Sequence, residues 1–161
     1  MTRATATAAP VEVRADGLRF AVVASRFNGE IVQKLVDGAL DALVSRGASP
    51  GQQRVVWVGG ALELPVVAQA ALEQGVDGVV CLGCVIRGGT DHYEHVCRAA
   101  VDGIMRVSLD AGRPVGNGVL TVATAEQAWE RAGGAVGNKG AEAAIAVLEA
   151  IDAMRSMGSW A

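Results

Sequence analysis

Four short apolar runs, each followed by a stretch of helical periodicity, constrain this chain more than any other feature. The run "GVVCLGCVI" over residues 78–86 is apolar without alternation, as a strand covered on both faces of a parallel sheet should be. "LRFAVVAS" (18–25), "RVVWV" (54–58) and "PVGNGVLTV" (114–122) are the other three. Between them the spacing predicts helices. Asn28 stands as the N-cap of the first, which runs through "EIVQKLVDGALDALVSRG" to a stop at Gly47. The second spans about Pro65 to Gln74 with Pro in its tolerated first turn and Gly75 behind it, and the third about His92 to Leu109. "TAEQAWERA" places Thr124 and Gln127 at capping-box spacing, and after Gly133-Gly134 a last helix runs from about Lys139 to Met157.

Consecutive parallel strands need right-handed helical crossovers. The expected fold is therefore α/β, a three-layer α/β/α sandwich around a four-stranded parallel sheet with flavodoxin-like winding. Ligands in such sheets bind beyond the carboxyl ends of the strands. That rule selects four loops: "SRFN" (25–28), "GGALEL" (59–64), "RGGTDH" (87–92) and "TVAT" (121–124). A response regulator would carry an acidic pair after the first strand and a flavodoxin a Ser/Thr-Gly-rich phosphate loop; "ASRFN" offers neither.

A chain of 161 residues suits one core. The reading is a flexible N-terminal arm over 1–15 and a single domain over 16–161. Seventeen acidic against 14 basic residues give a net charge of −3, and the Lys/Arg residues form no cluster, so nucleic acid is not an expected partner. No stretch has the length of uninterrupted apolar residues a membrane span needs, and "MTRATATAAP" lacks the apolar centre of a secretion signal. The three cysteines, Cys81, Cys84 and Cys97, are odd in number and confined to one segment, which fits reduced thiols and a cytoplasmic protein. With 51% hydrophobic residues, the domain is expected to hide surface against copies of itself.

Each loop admits a functional and a plainer reading. Phe27 is either an exposed aromatic for a ligand or a staple on its own helix. Glu63 can accept hydroxyl hydrogen bonds beside backbone freed by glycines, or be a solvated carboxylate. "RGGT" sets the N–H groups of Gly88, Gly89 and Thr90 before a helix N-terminus, which makes a phosphate seat or a glycine turn capped by Asp91 with Glu94. Arg87 is either an anion ligand or a structural ion-pair former at the strand end, the second being the preferred reading. His92, in the first helical turn beside that seat, is the candidate proton shuttle, whereas His95 reads as packing or surface. A metal site among Cys81, Cys84, His92, His95 and Cys97 is disfavoured, because residues three apart on a strand point to opposite faces. Arg131 and Lys139 are cations near helix ends, and a cation at a helix start is either solvated or placed there for a ligand.

Taken in order, "SRFN", "GALELP", "VIRGGTDHYEHVC", "GVLTVATAEQAWERAG" and "GNKGAEAA" resemble the blocks of the lumazine synthase family from about residue 18 to 155. The resemblance implies condensation of 5-amino-6-(D-ribitylamino)uracil with 3,4-dihydroxy-2-butanone 4-phosphate to 6,7-dimethyl-8-ribityllumazine, phosphate and water, in riboflavin biosynthesis, with no cofactor or metal. It implies that Phe27 stacks on the pyrimidine and Glu63 binds ribityl hydroxyls. Ala61, Leu62, Val85 and Ile86 would line the substrate site, and Gly88, Gly89, Thr90 and Arg131 would hold phosphate. His92 would shuttle protons, and Lys139 would meet the pyrimidine carbonyl or the charge that develops near it.

Departures from the family pattern accompany the match. Gly59 and Leu62 stand where many members have Pro and an aromatic, and Cys84 where many have Thr. Asn117 replaces a Phe that members donate across the subunit interface, which bears on how the ring is enclosed. Family members form pentamers with sites between neighbours, and the short "GGAVGNKG" connection resembles that of members whose pentamers close into a sixty-subunit shell. The alternative to an enzyme is a flavin- or lumazine-binding or cage-forming relative without chemistry.

Overall fold

The computed structural model describes residues 12–158. In chain order the elements are β1 (Phe20–Ser25), α1 (Gly29–Ser45), β2 (Gln53–Val58), α2 (Leu64–Glu73), β3 (Gly78–Ile86), α3 (His92–Ala111), β4 (Val115–Val122), α4 (Ala125–Glu130), β5 (Ala132–Gly134), β6 (Gly137–Asn138) and α5 (Lys139–Met157). The main sheet has the order β2-β1-β3-β4, and every pairing in it is parallel. The chain steps from β1 to β2 in one direction and then crosses back to place β3 on the other side of β1. A flavodoxin-like sheet opens its ligand crevice at that reversal.

Alternation along β1 explains the three layers. Phe20, Val22 and Ala24 join one buried cluster with Leu35 of α1 and Leu148 of α5, while Ala21 and Val23 join another with Leu72 of α2 and Ile104 of α3. In β3, Cys84 belongs to the first cluster and Cys81 to the second. The two thiols thus lie on opposite faces, as their spacing predicts. Each side of the sheet is covered by a pair of helices, which is why the strands could be apolar on both faces.

The helix stops follow the glycines. Gly47 (φ 104°) and Gly75 (φ 86°) take the left-handed conformation behind α1 and α2, and their N–H groups donate to Val44 and Leu72. The starts are less regular. Thr124 accepts from the Gln127 N–H at 3.2 Å, and the Gln127 side chain accepts from Ala123, one residue before the expected box partner. Asn28 and Asp91 do not cap with their side chains. Asp91 already has helical φ and ψ, and its expected partner Glu94 instead stands 3.9 Å from Arg87.

Two features were not expected. The antiparallel pair β5–β6 occupies the stretch read as a glycine connection. On the opposite face of the protein from α2 and α3, α1 and α5 approach so closely that a Cβ on Gly140 would overlap the Leu35 carbonyl and one on Gly38 would overlap the Asn138 amide. Asn138 clasps the seam, donating to the Lys34 carbonyl at 3.0 Å and accepting the Ala141 N–H at 3.1 Å as the N-cap of α5. Of the arm expected over 1–15, residues 1–11 lie outside the described residues. Within the remainder Val13 and Ala15 are buried, and the Ala15 N–H donates to the Arg46 carbonyl. No helix among the described residues is long and apolar enough to cross a membrane.

Candidate active site

At the carboxyl end of the sheet the chain leaves β1, β2 and β3 around one cavity of about 470 Å³. The β1 loop continues the sheet ladder past the strand: the Arg26 N–H donates to Val58 at 2.8 Å and that of Phe27 to Gly59 at 3.2 Å. Phe27 itself is 72% exposed. It is therefore no staple on α1, and its ring stands free at the mouth of the cavity. After β2, a short 3-10 turn over Ala61–Glu63 buries Ala61 and exposes Leu62 and Glu63. The Glu63 carboxylate accepts from the Gly60 N–H at 3.1 Å, which orients one oxygen and leaves the other for a partner.

After β3, Val85 and Ile86 are half-buried and Arg87 to His92 are exposed. Neither a positive φ nor crowding requires glycine at 88 or 89, since a Cβ on either would meet nothing within 4 Å. A side chain at either position would stand in open space, and both residues precede the N-terminus of a long helix, where an anion is favoured. The Thr90 hydroxyl takes the His92 N–H at 3.4 Å, beginning α3. The Arg87 guanidinium lies 5.1 Å from the centroid of the Tyr93 ring and near Glu94, in keeping with a structural role, though exposed pairs of this kind contribute little.

Phe27, Ala61, Leu62, Glu63, Val85, Ile86, Gly88, Thr90 and His92 all line this cavity. Gly89 lines a shallower depression next to it, shared with Gly88 and Thr90. Asn117, Arg131 and Lys139 line neither. Asn117 is paired with Cys81, well back along the sheet from the Val85–Thr121 level, and its side chain accepts the Val119 N–H at 3.0 Å. Arg131 donates to the Gln127 carbonyl at 2.9 Å, and the Lys139 ammonium lies 4.0 Å from Glu142. Gly59 and Gly60 also line the cavity, as do Tyr93, Val96 and Cys84, and these last three are not site candidates in the sequence. Helical spacing of Val96 from His92 is the signal that could have found it.

Burial governs the thiol at the back of the cavity: desolvation pushes Cys84 from its ordinary 9.0 up to about 11 and Cys81 up to about 12, so both are neutral thiols at pH 7. Burial likewise raises the Tyr93 phenol, with Cys97 adding to it. Among the described residues no three His, Cys, Asp or Glu side chains come together in a way that could hold a metal ion. The chemistry available is an aromatic face, a carboxylate, an imidazole and a helix N-terminus around one largely apolar space.

Fold and cleft define a class: a flavodoxin-like α/β sandwich with a cavity at the carboxyl end of the sheet, where such folds take small molecules. Residues 17–155 match the family model of 6,7-dimethyl-8-ribityllumazine synthase. The protein of that name from Nitratidesulfovibrio vulgaris is 47% identical over 144 residues, covering 89% of this chain and 92% of its own. That from Halorhodospira halophila is 48% identical over 140 residues, 86% of this chain and 90% of its own. A third, from Lawsonia intracellularis, is 46% identical over 138 residues, 85% and 88% of the two chains. The chain belongs to the 6,7-dimethyl-8-ribityllumazine synthase family.

Proposed function

We propose that the protein condenses 5-amino-6-(D-ribitylamino)uracil with 3,4-dihydroxy-2-butanone 4-phosphate to 6,7-dimethyl-8-ribityllumazine, releasing phosphate and water, as a transferase of riboflavin biosynthesis in the cytoplasm. The observation that carries this reading is the convergence of Phe27, Glu63, Gly88, Thr90 and His92 on one cavity in a chain that matches this family from residue 17 to 155.

The pyrimidine stacks under Phe27, with its ribityl hydroxyls on Glu63 and its polar edge on the backbone of Ala61, Val85 and Ile86. The phosphate sits on Gly88, Gly89 and Thr90 at the start of α3. His92 stands beside it and moves protons as the 5-amino group adds to the ketone, water leaves to give the imine, and phosphate is eliminated. Elimination leaves an enol at the former C3 carbinol, which tautomerises to a new ketone; the ribityl-bearing amine attacks that carbonyl and a second dehydration closes the ring. Holding two reactive molecules face to face supplies much of the acceleration, so one acid/base group is sufficient, and the step requires no metal or cofactor.

The site is completed by a second copy in a pentamer, whose Arg131 holds phosphate, whose Lys139 meets the pyrimidine carbonyl, and whose Asn117 helps enclose the ring. What supports this is that these three residues stand apart from the cavity of their own subunit. The short connection through Gly137 favours closure of pentamers into a sixty-subunit shell.

The test is to mix purified protein with both substrates, without added metal, and follow the fluorescent lumazine beside a His92→Ala variant. Product formed above the uncatalysed rate and reduced in the variant is the expected result. No product above background from folded, assembled protein would overturn the reading.

A further inference from the structure

We propose that Asn28 is a positioning residue of this site: its side-chain amide, donating to the Cys84 carbonyl, fixes the turn that presents Phe27 to the cavity. The inference rests on the substrate site proposed above and adds to it a residue that lines no part of the cavity.

Phe27 is 72% exposed, so packing within the subunit does not hold its ring. Its direction is set by the backbone of residues 25–28. On the β2 side that backbone is tied by the N–H groups of Arg26 and Phe27 to Val58 and Gly59. Toward β3 it is tied by Asn28, whose Nδ2 donates to the Cys84 carbonyl at 2.9 Å. The bond spans the β1/β3 reversal, where the sheet opens for ligand, and its acceptor belongs to the strand that supplies Val85 and Ile86 to the cavity wall.

The conformation of Asn28 points the same way. At φ 56° and ψ 42° it is left-handed, and among the described residues it is the one non-glycine residue with positive φ. That region is strained for an ordinary residue and is visited mainly by glycine and asparagine. If the turn alone mattered, glycine would serve at lower cost. Nor is the amide needed as a cap, because the Asn28 main-chain carbonyl accepts the N–H groups of Ile31 and Val32, both at 3.1 Å. The side chain has one partner at β3, and the turn it restrains carries the aromatic ring.

This separation makes the role testable. Asn28→Gly keeps the left-handed backbone and the main-chain cap while deleting the amide. Asn28→Asp keeps shape and turns a carboxylate oxygen toward the Cys84 carbonyl. The experiment titrates 6,7-dimethyl-8-ribityllumazine, by its own fluorescence, into the full-length assembled protein. It uses wild type, each Asn28 variant, Phe27→Ala and the two double variants, with turnover measured in parallel. Loss of one hydrogen bond, about 1 kcal/mol, should weaken binding about fivefold in Asn28→Gly and at least as much in Asn28→Asp. In the Phe27→Ala background the same changes should have less than about a twofold effect, because the amide acts through the ring.

Unchanged binding in the Asn28 variants, an equal loss with and without Phe27, or Phe27→Ala binding as tightly as wild type overturns the proposal. So does loss of the folded, assembled state in both Asn28 variants, since the amide would then be holding the fold. A wild type that binds the lumazine without turnover sinks the enzymatic reading and leaves the cycle to decide this one; a wild type that does not bind overturns both.

Discussion

The main-chain N–H of Lys139 donates to the carbonyl of Arg131 at 2.8 Å, so two cations from opposite ends of the β5–β6 pair leave the surface from one junction. Neither lines the cavity that holds His92. If that junction faces the cavity of a neighbouring copy, His92→Ala and Arg131→Ala damage opposite halves of one site. Each variant assembled alone should be poorly active. Subunits unfolded, mixed equally and reassembled should regain activity at roughly a quarter of their sites, the share random mixing leaves intact. Activity that stays at the level of the separate variants would place the cations and His92 in one subunit's site.

Glu63 has two tasks in the structure, accepting the Gly60 N–H and facing the cavity. Glu63→Gln keeps an acceptor oxygen and removes the charge, so the loop should persist and KM for the ribitylaminouracil should rise less than about tenfold. Glu63→Ala loses both functions and should raise KM by about tenfold or more. Steady-state kinetics of the two variants at saturating butanone phosphate checks the order; equal effects would mean that charge alone matters.

The seam between α1 and α5 leaves no volume at Gly140, where a Cβ would overlap the Leu35 carbonyl. Gly140→Ala should therefore destabilise, despite the better helix propensity of alanine, by about 1–3 kcal/mol or more because a backbone atom must give way. Urea unfolding measures it. An unchanged midpoint would show that the two helices separate without cost.

The buried thiols give stability a pH dependence of known sign. Burial raises Cys84 from 9.0 to about 11 and Cys81 from 9.0 to about 12. Below about pH 9 both folded and unfolded chains keep these protons. Above it the unfolded chain releases them first, so their contribution is lost as pH climbs through the folded values. Stability by urea unfolding should fall between about pH 9 and about pH 12, less steeply in Cys84→Ala than in wild type. An equal slope would mean that Cys84 ionises freely in the folded protein.

The sheet and its helices were legible because their signals are local and repeated: apolar runs over 20–25 and 78–86, and glycines at 47 and 75 that end helices by their backbone alone. The β5–β6 pair was not, since it is formed by main-chain bonds around Gly133 and Gly137 and leaves no side-chain period to read. Asn28 holds the N-cap position that its place before the helix predicts, but that rule considers only neighbouring residues and says nothing of where the amide goes. Its amide instead finds Cys84, distant in sequence and adjacent across the sheet. The loops around the cavity followed from the carboxyl-end rule; Arg131 and Lys139 stood out only as cations near helix ends, and Asn117 was reached only through family resemblance. Within one subunit nothing brings them to Phe27, so no local pattern could have done so. Tyr93 was passed over because its part in the wall depends on which face of α3 turns inward.

The clasp between α1 and α5 has a consequence for how this protein can change over generations. Gly38 and Asn138 share one small volume, so a larger residue at 38 is admissible only after 138 has shrunk. Shrinking 138 first releases both Lys34 and the start of α5. Either single step is a loss, and only a paired exchange avoids the clash at 38. The two positions act as a ratchet on descent, holding the chain to its present pair unless both are exchanged at once.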